Sequence, residues 1–148
     1  MSGPRARGES MAAIRHQINI AVPSRVVWRA LTTVEGLTSW WADEARVDPR
    51  PGGRLVVTTE GDDGEPVEER GLFHELRPTR KIEIAWDNNS PAPTKGTRLV
   101  FQIARDGDET RLSLVHRGGG ILDDEEARAV LEKDWHRALR SLRSALEA

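Results

Sequence analysis

The chain has 148 residues, and its 22 basic and 24 acidic side chains leave a net charge of −2. This length suits one domain with its own core, and the balanced charge gives no electrostatic reason to expect nucleic acid as a partner. The absence of cysteine excludes disulfides, thiolate catalysis and cysteine-ligated zinc.

The chain also lacks the signals of a membrane or secreted protein. No run approaches the roughly 18 apolar residues that a membrane helix needs, so no membrane insertion is expected. Residues 1–10 are rich in Gly, Arg and Ser and have no apolar core of a secretory signal. We predict a disordered tail over 1–10, one domain over 11–148, and a cytoplasmic location.

The first third of the chain predicts one strand followed by two short helices. Apolar residues alternate over 14–22, which is typical of a half-buried strand. A proline ends this strand, and Ser24 is predicted to be the N-cap of the first helix. Thr33 is predicted to cap a second helix, which ends near Trp40 and Trp41.

The middle of the chain has the pattern of antiparallel strands joined by turns. Apolar and polar residues alternate over 82–86, 99–103 and 112–116. Segment 67–76 is also strand-like, but Phe73 indicates one inward face whereas Leu72 and Leu76 indicate the other. The loop 87–95 contains two prolines and is predicted to be a mobile connection.

The end of the chain predicts one long helix. After three glycines at 118–120, Asp123 and Glu126 resemble a capping box. An apolar stripe of one tryptophan and four leucines then follows over 131–146. A helix of about 24 residues would span roughly 36 Å, which is enough to cross a small sheet.

This order of elements predicts an α+β helix-grip fold. The first strand comes first in the chain and two short helices follow it. The remaining strands complete a curved antiparallel sheet of about six or seven strands, and the long C-terminal helix packs across this sheet. Because a twisted sheet cannot contact a straight helix along its whole length, we expect an internal cavity between them. Such cavities are mostly apolar with a few polar groups.

Six short motifs occur in order along the chain. They are VVWRALT at 26–32 with WW at 40–41, PGG at 51–53, GLFHE at 71–75, PTRKIEIAW at 78–86, TRLSLVH at 110–116 and WHRALRSL at 135–142. Together they resemble the START-like (SRPBCC) superfamily, in its AHSA-type branch of activator-of-heat-shock-protein-ATPase homologues. The resemblance covers roughly residues 14–146. It implies a helix-grip fold with a deep pocket for lipids, polyketides or other hydrophobic molecules, but no single activity, because the family includes binders, cyclases and co-chaperone domains.

The predicted cavity wall draws on the second short helix, the sheet and the last helix. The predicted ligand-binding residues are Trp40, Trp41, Trp86, Phe101, Leu114, His116, Trp135 and Leu139. Each of them also fits ordinary core packing, because large apolar side chains are usually buried. Adjacent helical residues diverge by about 100°, so we expect one tryptophan of the pair at 40–41 to face the mouth of the pocket.

Three hypotheses about function follow. The first is the binding of a small hydrophobic or amphipathic molecule, either by a monomer or by a homodimer. The second is a general acid–base enzyme of cyclase, dehydratase or hydrolase type, for which His116 with Glu69 or Glu75 is the candidate pair. The third is a chaperone- or protein-interaction domain, which would need an exposed apolar patch. The four histidines show no paired ligand spacing, so neither a metal nor a cofactor is predicted.

Overall fold

Seven strands form a single antiparallel sheet in the computed structural model, which describes residues 12–148. The strands are β1 (Ala13–Ile20), β2 (Glu44–Val47), β3 (Arg54–Glu60), β4 (Pro66–Arg77), β5 (Lys81–Trp86), β6 (Arg98–Asp106) and β7 (Glu109–Arg117). Their spatial order is β1-β7-β6-β5-β4-β3-β2, so β1 and β2 are the two edges. The tail predicted over 1–10 lies outside the described residues.

Three α-helices complete the fold, namely α1 (Ser24–Thr32), α2 (Val34–Trp40) and α3 (Glu125–Glu147). The long helix α3 contacts β1 and also α2, and it buries Trp135, Leu139 and Leu142. The α+β helix-grip architecture is therefore confirmed, with two short helices after the first strand and a long C-terminal helix on the sheet. Within residues 12–148, no helix is both long enough and apolar enough to cross a membrane.

The observed helix caps agree with the predicted caps at one position and differ from them at two. Thr33 caps α2, because its Oγ1 accepts a hydrogen bond of 2.9 Å from the Gly36 N–H. The predicted cap at Ser24 is wrong, because the helix already includes this residue and its hydroxyl lies 3.4 Å from Thr110 Oγ1. The predicted capping box at Asp123 is displaced by one residue. A 3-10 turn over 120–123 moves the start of α3, and Asp124 is the cap.

A β-bulge in β4 explains the mixed parity of its sequence. Phe73 pairs with Ile84, but Glu75 pairs with Glu83, so His74 is an extra residue without an opposite partner. Before the bulge Phe73 faces inward, and after it Leu76 faces inward opposite a buried isoleucine. Both parities indicated by the sequence are therefore present in one strand, on either side of the bulge.

Candidate functional site

Six rings meet between the sheet and α3. They are Trp40, Trp41, Trp86, Phe101, His116 and Trp135, which we call the interior aromatic cluster. Trp41 lies at its centre, with its ring centroid 5.5 Å from that of Trp40, 5.5 Å from that of Trp135 and 6.2 Å from that of Trp86. The rings contact one another, so a guest molecule can enter this space only if a ring moves.

The two adjacent tryptophans have different surroundings. Trp40 is 7% exposed, and its indole N–H donates a 2.9 Å hydrogen bond to the Ala30 carbonyl, which ties α2 to α1. Trp41 follows the end of α2 as its C-cap residue and is only half-buried. Trp41 is thus the ring of the pair that reaches both the interior and the surface.

Trp86 lies at the end of β5, across a glycine of the neighbouring strand. A Cβ atom on Gly71 would lie 2.5 Å from the Ala85 carbonyl oxygen and 2.9 Å from Cε3 of Trp86. Only glycine therefore allows the indole ring to lie against β4 at this point. Trp86 is 4% exposed, and its Nε1 is the one buried side-chain nitrogen or oxygen within residues 12–148 that has no hydrogen-bond partner.

His116 is held on both of its ring nitrogens. Trp135 Nε1–H donates to Nδ1 at 3.0 Å, so the neutral imidazole carries its proton on Nε2. That Nε2–H donates to Thr97 Oγ1 at 2.8 Å, and the threonine hydroxyl donates onward to the Thr94 carbonyl at 2.6 Å. Burial lowers the pKa of His116 to about 4 from an ordinary value near 6.5.

Glu69 is the carboxylate that faces the same interior. It pairs across the sheet with the buried Val57, and the hydroxyl of Thr94 donates to its carboxylate. Burial raises the pKa of Glu69, and the bond from Thr94 opposes this rise only partly. Thr94 and Thr97 belong to one loop, so this loop joins Glu69 to His116. No direct hydrogen bond connects the two side chains within the described part of the chain.

Glu75 lies on the other face of the sheet. The bulge places it opposite Glu83 on the outer face, where it forms an ion pair of 2.9 Å with Lys81 and another with Arg77. Hydrogen bonding to Lys81 lowers the pKa of Glu75. The geometry therefore separates Glu75 from His116 and leaves Glu69 as the candidate carboxyl group on the inner face of the sheet.

The remaining predicted wall residues lie at two places. Phe101 and Leu114 pair across β6 and β7 and are buried, and the Phe101 ring packs edge-on against Trp135 at 6.3 Å. Leu139 is also buried, but it lines a concavity beside His16, at the seam between β1 and α3.

The segment between β5 and β6 is more closely attached than its two prolines indicate. The Arg70 N–H donates to Ser90 Oγ at 3.1 Å, and the Gly96 N–H donates to the Trp86 carbonyl at 3.2 Å. Ser90, Ala92, Thr94 and Thr97 are all buried. Sequence reasoning missed this role, and the hydroxyl residues of the segment were the signal that could have indicated it.

Three concave regions occur outside the interior aromatic cluster, and one of them borders it at Trp86. Two of them, of about 310 and 580 Å³, lie along the seam between β1 and α3 and share His16 and His136. The third, of about 600 Å³, lies on the outer face of the sheet around Leu72 and His74. Among residues 12–148, no group of three or more histidine or acidic side chains could hold a metal ion.

Comparisons with known proteins agree with this fold. Residues 21–147 match the family model described as "Activator of Hsp90 ATPase homolog 1-like protein". Among curated proteins no match was found. The solved structures that resemble the chain include the Aha1 dimer from Colwellia psychrerythraea, with 25% identity over 93% of this chain and 97% of that one, and a TM-score of 0.75.

Two further solved structures are similar at lower identity. A Nitrosomonas europaea protein shares 21% identity over 92% of this chain and 94% of that one, with a TM-score of 0.77. CalU16 from Micromonospora echinospora shares 22% identity over 90% of this chain and 75% of that one, with a TM-score of 0.71. The family model covers nearly the whole described domain, and the seven-stranded sheet with its long terminal helix is the architecture of these neighbours. The chain therefore belongs to the activator of Hsp90 ATPase homolog 1-like family and has a START-like fold.

Proposed function

We propose that the protein binds a small amphipathic molecule within the interior aromatic cluster. The observation that carries this proposal is the buried Trp86 N–H without a hydrogen-bond partner. A buried donor left unpaired costs roughly 1–3 kcal/mol, so native interiors rarely contain one without water or a ligand beside it. A ligand that presents an oxygen acceptor to this N–H and an apolar body to the surrounding rings would remove that cost.

Entry of the ligand depends on Trp41. This ring is half-buried, belongs to the residue that ends α2, and lies against both Trp86 and Trp135. The other two indoles are held by sheet or helix packing, whereas Trp41 follows the last helical residue. In this proposal Trp41 swings outward and the ligand takes its place between the two indoles.

The polar residues of the interior suit binding better than proton transfer. Both nitrogens of His116 are occupied by protein groups, and protonation at Nδ1 would remove the acceptor of the Trp135 N–H. Glu69 is engaged by Thr94 and has a raised pKa. In this state His116 has no free ring nitrogen and Glu69 has only its second carboxylate oxygen free, so the acid–base alternative receives less support.

A protein-interaction role also has less support from the surface. The large apolar side chains that are exposed within residues 12–148 are Val34, at 42%, and Val130, at 55%. They belong to different helices and are single exposures, which are normal on a monomer surface. A docking patch for a chaperone would need a contiguous apolar area.

The proposal is tested by titration with N-phenyl-1-naphthylamine, a neutral fluorescent apolar probe, while tryptophan emission is also recorded. We expect saturable binding to the wild-type chain with quenching of tryptophan emission. Trp41→Ala should bind the probe about tenfold more tightly, which corresponds to roughly 1.4 kcal/mol, because no ring must be displaced. Trp28→Ala is the matched control, since Trp28 is also half-buried and packs against the core, but its ring does not lie against that of Trp41, Trp86 or Trp135.

Two results would contradict the proposal. Either the wild type and Trp41→Ala both fail to bind the probe saturably, or the Trp28→Ala control gains affinity as much as Trp41→Ala does. Thermal melts of all three proteins, followed by circular dichroism, establish that each compared chain is folded.

We also propose that the protein acts in the cytoplasm and forms a homodimer. The dimer proposal is supported by the Colwellia psychrerythraea relative, which is described as a dimer. Sedimentation velocity at several protein concentrations measures the mass of the particle in solution. A monomer at every concentration would contradict the dimer proposal.

A further inference from the structure

A groove lined by basic side chains runs along the seam between the edge strand β1 and helix α3. Its narrower part, of about 310 Å³, is lined by His16, Gln17, His136, Arg140 and Arg143 among others. Its wider part, of about 580 Å³, shares His16, His136 and Arg140 and adds Glu132, Lys133 and Arg137. The groove lies on the seam beside β1, whereas Trp41 joins the interior cluster from α2, so the two sites are distinct.

Basic side chains outnumber acidic ones around the groove, because Lys133, Arg137, Arg140 and Arg143 line it with Glu132 as the one acidic lining residue. Within residues 12–148, Lys133, Arg140 and Arg143 form no ion pair, and Arg137 is paired with Asp134 at 3.4 Å. Glu147 lies one turn beyond Arg143, but its carboxylate accepts a 2.7 Å bond from the Ala21 N–H. Basic side chains three and four residues apart on a helix repel one another, so this arrangement is unfavourable unless an anion lies among them.

Two imidazoles face each other in the same groove. The ring centroids of His16 and His136 are 5.8 Å apart. His16 Nε2–H donates to the Glu132 carbonyl at 3.1 Å, so Nδ1 of the neutral ring is an acceptor and offers no hydrogen to an anion. His136 makes no hydrogen bond to any of residues 12–148.

The chemistry of this set selects an anion over a metal ion. Two imidazoles could ligate a cation, but the adjacent unpaired guanidinium groups would repel it. The same guanidinium groups present planar pairs of N–H donors, which match the oxygens of a phosphate. Gln17 adds an amide that can donate a hydrogen bond at the rim.

We propose that the groove binds the phosphate group of a phosphate monoester or diphosphate. Arg140 and Arg143 contact the phosphate oxygens, and the ring N–H of His136 donates to one of them. The narrower part is at the lower end of the size range of ligand pockets, so the site recognises the charged group and not a large attached body. A soluble phosphate ester and the phosphate of a lipid headgroup share this chemistry.

The test uses the full chain and sodium pyrophosphate as the probe. Isothermal titration calorimetry measures affinity, and ¹H–¹⁵N correlation spectra locate the site. We expect one site per chain, shifts confined to residues 16–18 and 133–143, and weaker binding at high salt because salt screens exposed charges. The variant Arg140→Gln/Arg143→Gln should bind at least tenfold more weakly.

The matched control is Arg46→Gln/Arg50→Gln, which removes the same charge near the β2 edge of the sheet, far from β1. It should bind pyrophosphate as the wild type does. A second arm replaces pyrophosphate with phosphatidylcholine vesicles that contain one-fifth phosphatidic acid. Binding to vesicles that is lost in Arg140→Gln/Arg143→Gln supports the same phosphate site with a lipid as its source.

The proposal is overturned if neither probe binds, or if both double variants lose affinity equally, which would indicate only a general charge effect. Because N-phenyl-1-naphthylamine is neutral, its binding to the interior cluster can fail or succeed independently of this result.

Discussion

His116 is a buried histidine whose two hydrogen bonds define its chemical state. The donor from Trp135 requires an unprotonated Nδ1, and Thr97 accepts from Nε2–H. The imidazole therefore connects α3, β7 and the loop before β6 as one fixed tautomer. It stabilises the same interior in which the proposed ligand would lie.

Replacement of His116 by leucine should lower the free energy of unfolding by roughly 1–3 kcal/mol, because the Trp135 N–H would be left buried without an acceptor. The same replacement in a Trp135→Phe background should cost less, because phenylalanine has no N–H to satisfy. Urea denaturation of the four proteins of this double-mutant cycle gives the coupling energy directly. An equal cost in both backgrounds would show that the hydrogen bond contributes no stability.

At the scale of secondary structure, the bulge in β4 decides which side chains enter the interior. With His74 as an unpaired residue, Glu75 turns outward to Lys81 while Leu76 returns inward. The same irregularity bends the strand, which helps the sheet to curve around α3.

Deletion of His74 should be tolerated, at a cost of no more than about 1–2 kcal/mol, because the alternation of Phe73, Glu75 and Leu76 already fits a regular ladder without it. Deletion of Leu72 is the comparison. It shifts Phe73 to the outer face and should cost roughly 3–5 kcal/mol, as the loss of a buried aromatic ring does. Thermal and urea denaturation measure the stability of both deletion variants. Equal losses of stability would argue against the assigned bulge.

At the scale of the whole molecule, acid pH should change the free energy of unfolding through two buried groups, His116 and Glu69. The pKa of His116 is about 4 when folded and near 6.5 otherwise, so between these values the unfolded chain binds more protons. Stability from this residue is complete above about pH 6.5 and is lost as the pH falls toward 4. Glu69 acts in the opposite direction, because its raised pKa favours the folded state at the acidic end and costs stability as the pH rises above 4.5.

The stability difference between wild type and His116→Leu isolates the histidine, because Glu69 is present in both proteins. This difference should shrink or reverse between pH 7 and pH 4 by on the order of 3 kcal/mol. Urea denaturation at half-unit pH steps measures it. A difference that does not change with pH would mean that His116 is not held neutral in the folded protein.

Much of the fold was predictable because it depends on local periodicity. The alternation over 82–86, 99–103 and 112–116 reports strands with one buried face, and the stripe over 131–146 reports the covering helix. The four-residue strand β2 was not identified individually, since Glu44–Val47 is too short and too charged to show a period. Caps moved by one residue where a proline or a 3-10 turn changed the local backbone.

The candidate site was only partly predictable. Sequence parity placed His116, Phe101 and Leu114 on the inner face, and all three are buried there. It could not decide between Glu69 and Glu75, because the choice depends on a bulge that no local pattern reveals. It also missed Thr94 and Thr97, whose contacts with Glu69 and His116 join residues 25 and 19 positions apart.

The sequence by itself determined the order of the α-helices and of every strand except β2, the buried face of most strands and the family, because each of these is a property of neighbouring residues and their spacing. Only the tertiary structure decided that the tryptophans contact one another, that one indole N–H is left unpaired and that two histidines meet at the seam of β1 and α3. Those facts depend on which distant segments approach each other, and distances of that kind are set by the packing of the whole chain.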